Sequence, residues 1–332
     1  MSGLAITPAD ILRFALAQAD RGAGTVLVTL VGIAGSSPRA LGAQMAVASD
    51  GDYRGSFSGG CIEAAIVAEA LATLDDGKAR MVRFGAGSPY IDIRLPCGGG
   101  IDLLFTPRPD TAMLADILAS LESRRPAAMH VSREGIVAIA PTDTGAGWRN
   151  DAFYVVYAPR VRIVAMGQGD TLTATARLAR FFGAEVHAFS PSPDDVAAVS
   201  AEGIAATLLE NRTLAPTLET DPWTAFAFLF HEHDWEEMLL PWALQQPHLF
   251  IGAIGGRHSR ANTLNMLRDK NLDESHLERF RMPAGLIPEA RDPATLSLSI
   301  VSEIIGEYHA KLHRAGPGER SSRMVETLGS WD

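Results

Sequence analysis

The sequence predicts an α/β protein: a mixed α+β N-terminal domain followed by a C-terminal doubly wound parallel sheet. Three observations carry this. From Arg160 onward the short apolar runs VRIVAM, EVHAF, GIAATLL, TAFAFLF and LFIGAIG recur, and helical stretches near 171–182, 234–245 and 259–270 separate several of them. Alternation of strands and helices implies a parallel sheet with helices on both faces. Before that point strands and helices follow no such rhythm. A chain of 332 residues is long enough for two domains, each with its own core.

The elements follow in order. Thr7 caps and Pro8 opens a first helix, with Ile11, Phe14 and Ala15 on one face. TVLVTLVGIAG and AQMAVAS read as strands, and Asp50-Gly51 marks a turn. CIEAAIVAEALATLDDG reads as a helix ended near Gly77. MVRFG, IDIRL and IDLLFTP are further strands. Residues 111–157 continue with one helix and two weaker strands, VSREGIVAIA and AFYVVYA, joined by the polar loop TDTGAGWRND. A last helix, about 293–312, places Leu296, Ile300 and Ile304 on one face, and the tail from Gly316 is polar. The expected domains are therefore 1–110, a partly structured connection 111–159, the parallel-sheet domain 160–313 and a tail 314–332.

Composition narrows the function classes. Hydrophobic residues make up 47% and charged residues 20%, the balance of a soluble globular protein. The formal charge is −10, from 29 basic and 39 acidic side chains. That excess repels nucleic acid and anionic membrane, so neither is an expected partner. No apolar run is long enough to span a bilayer, and the N-terminus lacks the basic flank of a secretory signal. Only two cysteines occur, which implies no disulfide framework and fits a reducing cytoplasm.

Three Gly-rich loops of the N-terminal domain are candidates for chemistry. GSSPRALG (35–42) offers the Ser37 hydroxyl and the planar Arg39 guanidinium, suited to phosphate or carboxylate. As an isolated segment it also reads as an ordinary loop with a surface Arg. SGGCIE (58–63) sets Gly59 and Gly60 before a helix, where backbone N–H groups and the dipole favour an anion. Cys61 is read there in the first helical turn, where a thiolate is stabilised; the plainer reading is a small buried hydrophobe. PCGGGID (96–102) repeats the pattern with Cys97, Gly98 and Gly99. Both cysteines of the chain adjoin a glycine run, which points to one shared cleft holding Arg39, Cys61, Glu63 and Cys97. Two cysteines without a His pair are poor zinc ligands, while soft thiolates suit a soft or sulfur-bearing metal centre.

In the C-terminal domain, VRIVAMGQGDTL starts like the dinucleotide fingerprint of a Rossmann-like sheet. Gly167 and Gly169 fit the first two glycines, but Leu172 stands at the third. Ser190, not an acid, ends the second strand. NAD(P) binding is accordingly in doubt, and an NAD(P)-dependent oxidoreductase is the alternative function. Ligands of such sheets lie beyond the C-terminal strand ends. The candidates there are Gly167, Gly169, His231, Gly255 and Arg257.

Taken together, GSSPR, SGGCIE and CGGGIDLLF resemble the N-terminal part of the XdhC/CoxI family of xanthine dehydrogenase accessory proteins. MGQG, FLFHEHDWEEMLLPWAL, FIGAIGGRHSRANTLNML and MPAGLIPEARDPATLSLSIVSEII resemble its Rossmann-like C-terminal part. The resemblance covers about residues 10–310. It implies a homodimeric, cytoplasmic chaperone that binds molybdenum cofactor (molybdopterin) and assists its sulfuration and insertion into an apo molybdenum hydroxylase. A cysteine desulfurase is a further partner in that picture. It also implies that Ser37, Arg39 and the glycine loops hold the cofactor, with Cys61 and Cys97 as contacts to molybdenum.

Overall fold

The computed structural model describes residues 6–60, 62–88, 98–135, 137–140, 145–231, 233–270 and 272–314. Two compact units emerge. One is built mainly from Pro8–Ser120 with Pro126–Tyr157, the other from Ala158–Ala310 with Leu121–Arg125.

The first unit opens with α1 (Pro8–Asp20), which buries Ile11, Leu12 and Ala15; Phe14, expected on that face, is only half-buried. Next come β1 (Thr25–Ala34), β2 (Gln44–Ala48), β3 (Tyr53–Arg54), α2 (Glu63–Asp76), β4 (Arg80–Gly85) and β5 (Gly100–Pro107). The strands form an antiparallel sheet in the order β3-β2-β1-β5-β4. Alternate residues Val26, Val28 and Leu30 of β1 meet Ile66, Ala70 and Leu74 of α2 in one core. Burial of a side chain such as Ile66 contributes about 2 kcal/mol by transfer from water. Gly77 ends α2 in the left-handed conformation, φ 67°, and its N–H donates to the Thr73 carbonyl. The expected strand IDIRL lies outside the described residues.

After α3 (Thr111–Glu122), a second antiparallel sheet takes the order β7-β6-β9-β8, from β6 (Ala127–Ser132), β7 (Val137–Ile139), β8 (Gly147–Arg149) and β9 (Ala152–Tyr157). Here the sequence reading needs correction. VSREGIVAIA is not one strand but the turn of a hairpin, because Gly135 adopts φ 86° between β6 and β7. The polar loop before β9 contains β8. A buried polar chain ties the two sheets together. The Tyr157 hydroxyl donates to Gln44 Oε1 at 2.6 Å, and Gln44 Nε2 donates to Thr29 Oγ1 at 3.1 Å.

The second unit is a six-stranded, all-parallel sheet. Its elements are β10 (Arg162–Gly167), α4 (Gly169–Phe182), β11 (Glu185–Ser190), α5 (Pro193–Ala201), β12 (Ala205–Leu208), β13 (Thr224–Leu229), α6 (Glu236–Gln245), β14 (Phe250–Ala253), α7 (Arg257–Asp269), α8 (Glu274–Glu278), β15 (Phe280–Arg281) and α9 (Pro293–Arg314). Strand order is β12-β11-β10-β13-β14-β15, which reverses direction between β10 and β13. Ile163 and Ala165 pack with α4 and α9, while Val164 and Met166 pack with α6 and α7, so helices cover both faces. This is the doubly wound architecture the alternation predicts. Ile300 and Ile304 of α9 are fully buried, as their spacing implies. Residues 209–223, which cross from β12 to β13, form neither helix nor strand.

At the N-terminal strand ends, Arg124 pairs with Asp221 and with Glu185 (2.6 Å), and Arg162 pairs with Glu185 (2.7 Å). Burial opposes ionisation of Asp221. Hydrogen bonds from Arg124 and the Trp223 N–H outweigh it, and the carboxyl stays below its usual range.

Candidate functional site

The loop after β1 touches both other Gly-rich loops of the first unit. Arg39 is exposed, and its Nε donates to the Ser56 carbonyl at 3.0 Å, just before the SGG turn. Ser37 Oγ shapes the loop from within, donating to the Arg39 carbonyl and accepting the Arg39 N–H. On the other side, Gly99 lies against the backbone of Ala34 to Ser36. A Cβ at Gly99 would sit 2.3 Å from the Ser36 carbonyl oxygen, so only glycine permits that approach. Ser37, Arg39 and Gly99 thus lie on loops in direct contact. Cys61 and Cys97 both lie outside the described residues.

Gly59, Gly60 and Gly98 are used differently. All three have positive φ, and a Cβ at any of them would meet nothing within 4 Å. Their backbone faces open space that a bound molecule can approach.

Glu63 is the organising residue. Its carboxylate is 3% exposed and accepts from the hydroxyls of Ser56 and Ser58 and from the N–H groups of Phe57, Ser58, Gly60 and Ile62, at 2.7 to 3.2 Å. Burial alone would raise its pKa. The hydrogen bonds from Ser58 and Ser56 win, holding it at about 2. Two consequences correct the sequence reading. Helix α2 starts at Glu63, so its first turn falls after Cys61. The anion expected at this glycine turn is the protein's own carboxylate, which already takes the Gly60 and Ile62 N–H groups. Glu63 positions the loop from beneath it. Ser56 and Ser58 were missed as its partners, because contacts that reach across the turn leave no periodic trace.

In the second unit, Gly167, His231 and Gly255 sit at the C-terminal ends of β10, β13 and β14, and Arg257 is the first residue of α7. Gly167 lets β10 close on β13, since a Cβ there would lie 2.6 Å from the Leu229 carbonyl oxygen. Gly255 has φ 146°, and a Cβ there would meet Met282. His231 is exposed. The Gly169 N–H, which in a dinucleotide site faces pyrophosphate, donates to Asp195 Oδ2 at 2.7 Å. Ser190 Oγ donates to the same oxygen at 3.1 Å. An internal carboxylate thus stands where a ligand phosphate would, and Leu172 is fully buried core. Both facts oppose the NAD(P) alternative. Helix α5, which supplies Asp195, was not foreseen. Its signal was present: Ser192 caps it by accepting the Asp195 N–H, with Pro193 next.

Comparison with known proteins agrees on one family. The model of the XdhC and CoxI family matches residues 18–85, and the XdhC Rossmann domain model matches residues 163–304. The chain is 37% identical over 295 residues to the molybdenum cofactor insertion chaperone PaoD of Escherichia coli strain K12, covering 89% of this chain and 86% of that protein. It is 25% identical over 289 residues to an uncharacterized protein of the same organism, YqeB, spanning 84% of this chain but 42% of that one. A crystal structure described as a xanthine dehydrogenase from Bacillus halodurans superposes with a TM-score of 0.71 over 92% of this chain and 98% of the other. At 18% identity that likeness concerns the fold alone.

Proposed function

Because the chain belongs to the XdhC and CoxI family, we propose that it is a maturation chaperone for a molybdenum enzyme. It holds molybdenum cofactor as cargo, assists its sulfuration and delivers it to an apo hydroxylase of the xanthine dehydrogenase type. It works in the cytoplasm as a homodimer, with a cysteine desulfurase as sulfur source. No described helix is long and apolar enough to cross a membrane.

The observation that carries this reading is the meeting of the three Gly-rich loops. The chemistry of the donors fits the cargo. Arg39 commits one nitrogen to Ser56 and is exposed, so its guanidinium suits a phosphate or oxo group. The open backbone at Gly59, Gly60 and Gly98 admits a polar ring system at close range. The glycine turn at 58–62 has spent its N–H groups on Glu63, so the phosphate falls to Arg39. Ser37 sets the shape of the Arg39 loop. Cys61 and Cys97 supply soft thiolates for molybdenum or for sulfur relay. A carrier of this kind needs different affinities for holding and release, not a lowered chemical barrier.

Anaerobic purification with molybdenum cofactor, followed by assay of molybdenum per chain, tests the proposal. Wild type is expected to retain the metal. Arg39→Ala and Cys61→Ala are each expected to lower the load by about tenfold, the worth of one charge-assisted contact. Wild-type loading in both variants would overturn the assignment of the site.

A further inference from the structure

In the second unit, the crossover from β12 to β13 has no helix. The irregular segment 209–223 instead bridges the outer part of the sheet and leaves a cavity of about 380 Å³ beneath it. We propose that this cavity binds a planar bicyclic nitrogen heterocycle bearing N–H donors, the chemistry shared by purine bases and pterins. It lies apart from every residue assigned above, and the proposal stands independently of the cargo reading.

Four features select that class. His187 and Phe189 project from the same face of β11 and stack with ring centroids 4.3 Å apart and planes 16° apart. Phe189 is 3% exposed, so it backs the stack, and half-buried His187 presents the outer ring. A flat ring added to that stack gains offset-stacking contact. Second, His187 does not turn freely, because its Nε2 lies 2.8 Å from Thr207 Oγ1. Burial first, and Arg162 second, lower its pKa, so the ring is uncharged at neutral pH and carries no attraction for phosphate. Third, the charged group of the lining at that pH is Glu210, whose exposed carboxylate enters no ion pair among the described residues. A carboxylate at the rim accepts from ring N–H and amino groups and repels anions. Fourth, Leu214, 66% exposed, and Pro216 form an apolar roof over the cavity. The volume lies at the small end of the range for ligand pockets, the size of a two-ring heterocycle and too small for a whole dinucleotide.

The test uses the full chain titrated separately with neopterin, guanosine and adenosine, followed by ligand fluorescence or ligand-observed NMR. Saturable binding of at least one is expected, and the one bound distinguishes a pterin from a nucleobase source. Glu210→Gln leaves an exposed residue of the same shape, so the fold is not at risk; it is expected to weaken binding about tenfold by losing charge-assisted hydrogen bonds. His187→Ala is expected to weaken it as much or more. Absence of saturable binding with all three compounds would overturn the proposal, as would affinities unchanged in both variants. Molybdenum loading, measured in parallel on Glu210→Gln, reports on the cargo reading alone.

Discussion

Two carboxylates decide how this molecule treats anions. Glu63 gathers two hydroxyls and four backbone N–H groups that would otherwise be unpaired. Glu63→Gln turns an amide N–H₂ toward those donors and is expected to cost about 2–3 kcal/mol in urea denaturation at neutral pH. The sign of its pH dependence follows from a folded pKa of about 2 against an ordinary 4.5. The stabilisation is complete above pH 4.5 and is lost as pH falls toward 2. The gap between wild type and variant should therefore close over that window; a gap constant down to pH 2 would remove Glu63 as its source. Asp195 plays the matching part at Gly169. Asp195→Ser takes the charge out of the phosphate seat, and ADP or inorganic phosphate is expected to bind about tenfold more tightly than to wild type. Calorimetry showing equal affinities would mean that something else defeats the dinucleotide fingerprint.

At the scale of elements, neighbouring glycines do different work. Gly99 packs where β5 approaches the loop after β1, and a Cβ there would collide with the carbonyls of Ser36 and Ala34. Gly98 needs only its positive φ, 69°, with open space beside it. Gly99→Ala is expected to destabilise the first unit by about 3 kcal/mol, as overpacking does, and Gly98→Ala by about 1 kcal/mol. Thermal melting checks both. If the open backbone at Gly98 faces cargo, Gly98→Ala should lower molybdenum loading more than its small stability loss explains. Wild-type loading in that variant would separate Gly98 from the site.

At the scale of the whole molecule, each unit has its own polar fastening. Arg124, Arg162, Glu185 and Asp221 tie the second unit, while Tyr157, Gln44 and Thr29 tie the two sheets of the first. Asp221→Ala leaves Arg124 half-paired and is expected to cost about 2–3 kcal/mol. Tyr157→Phe leaves Gln44 Oε1 unpaired in a buried place, a loss of about 1–2 kcal/mol. Denaturation is expected to show two transitions, each variant lowering a different one. A single transition shifted by both would show that the units unfold as one.

What the sequence by itself determined is whatever repeats locally. The strand–helix alternation after Arg160, the buried stripe of Ile300 and Ile304, and the left-handed stop at Gly77 all depend on residues within a few turns of one another. The family motifs were legible for a related reason, since the loops that carry chemistry are contiguous in the chain. Tertiary structure alone decided where those loops' polar groups turn. The carboxylate of Glu63 faces inward, Asp195 crosses 26 positions to reach Gly169, and Gly99 presses on a backbone more than 60 residues earlier. The cavity under residues 209–223 exists because a crossover without a helix happens to run over a pair of stacked rings. A hydrogen-bond donor takes whichever acceptor the fold brings within 3 Å, and that choice has no period for a sequence to display.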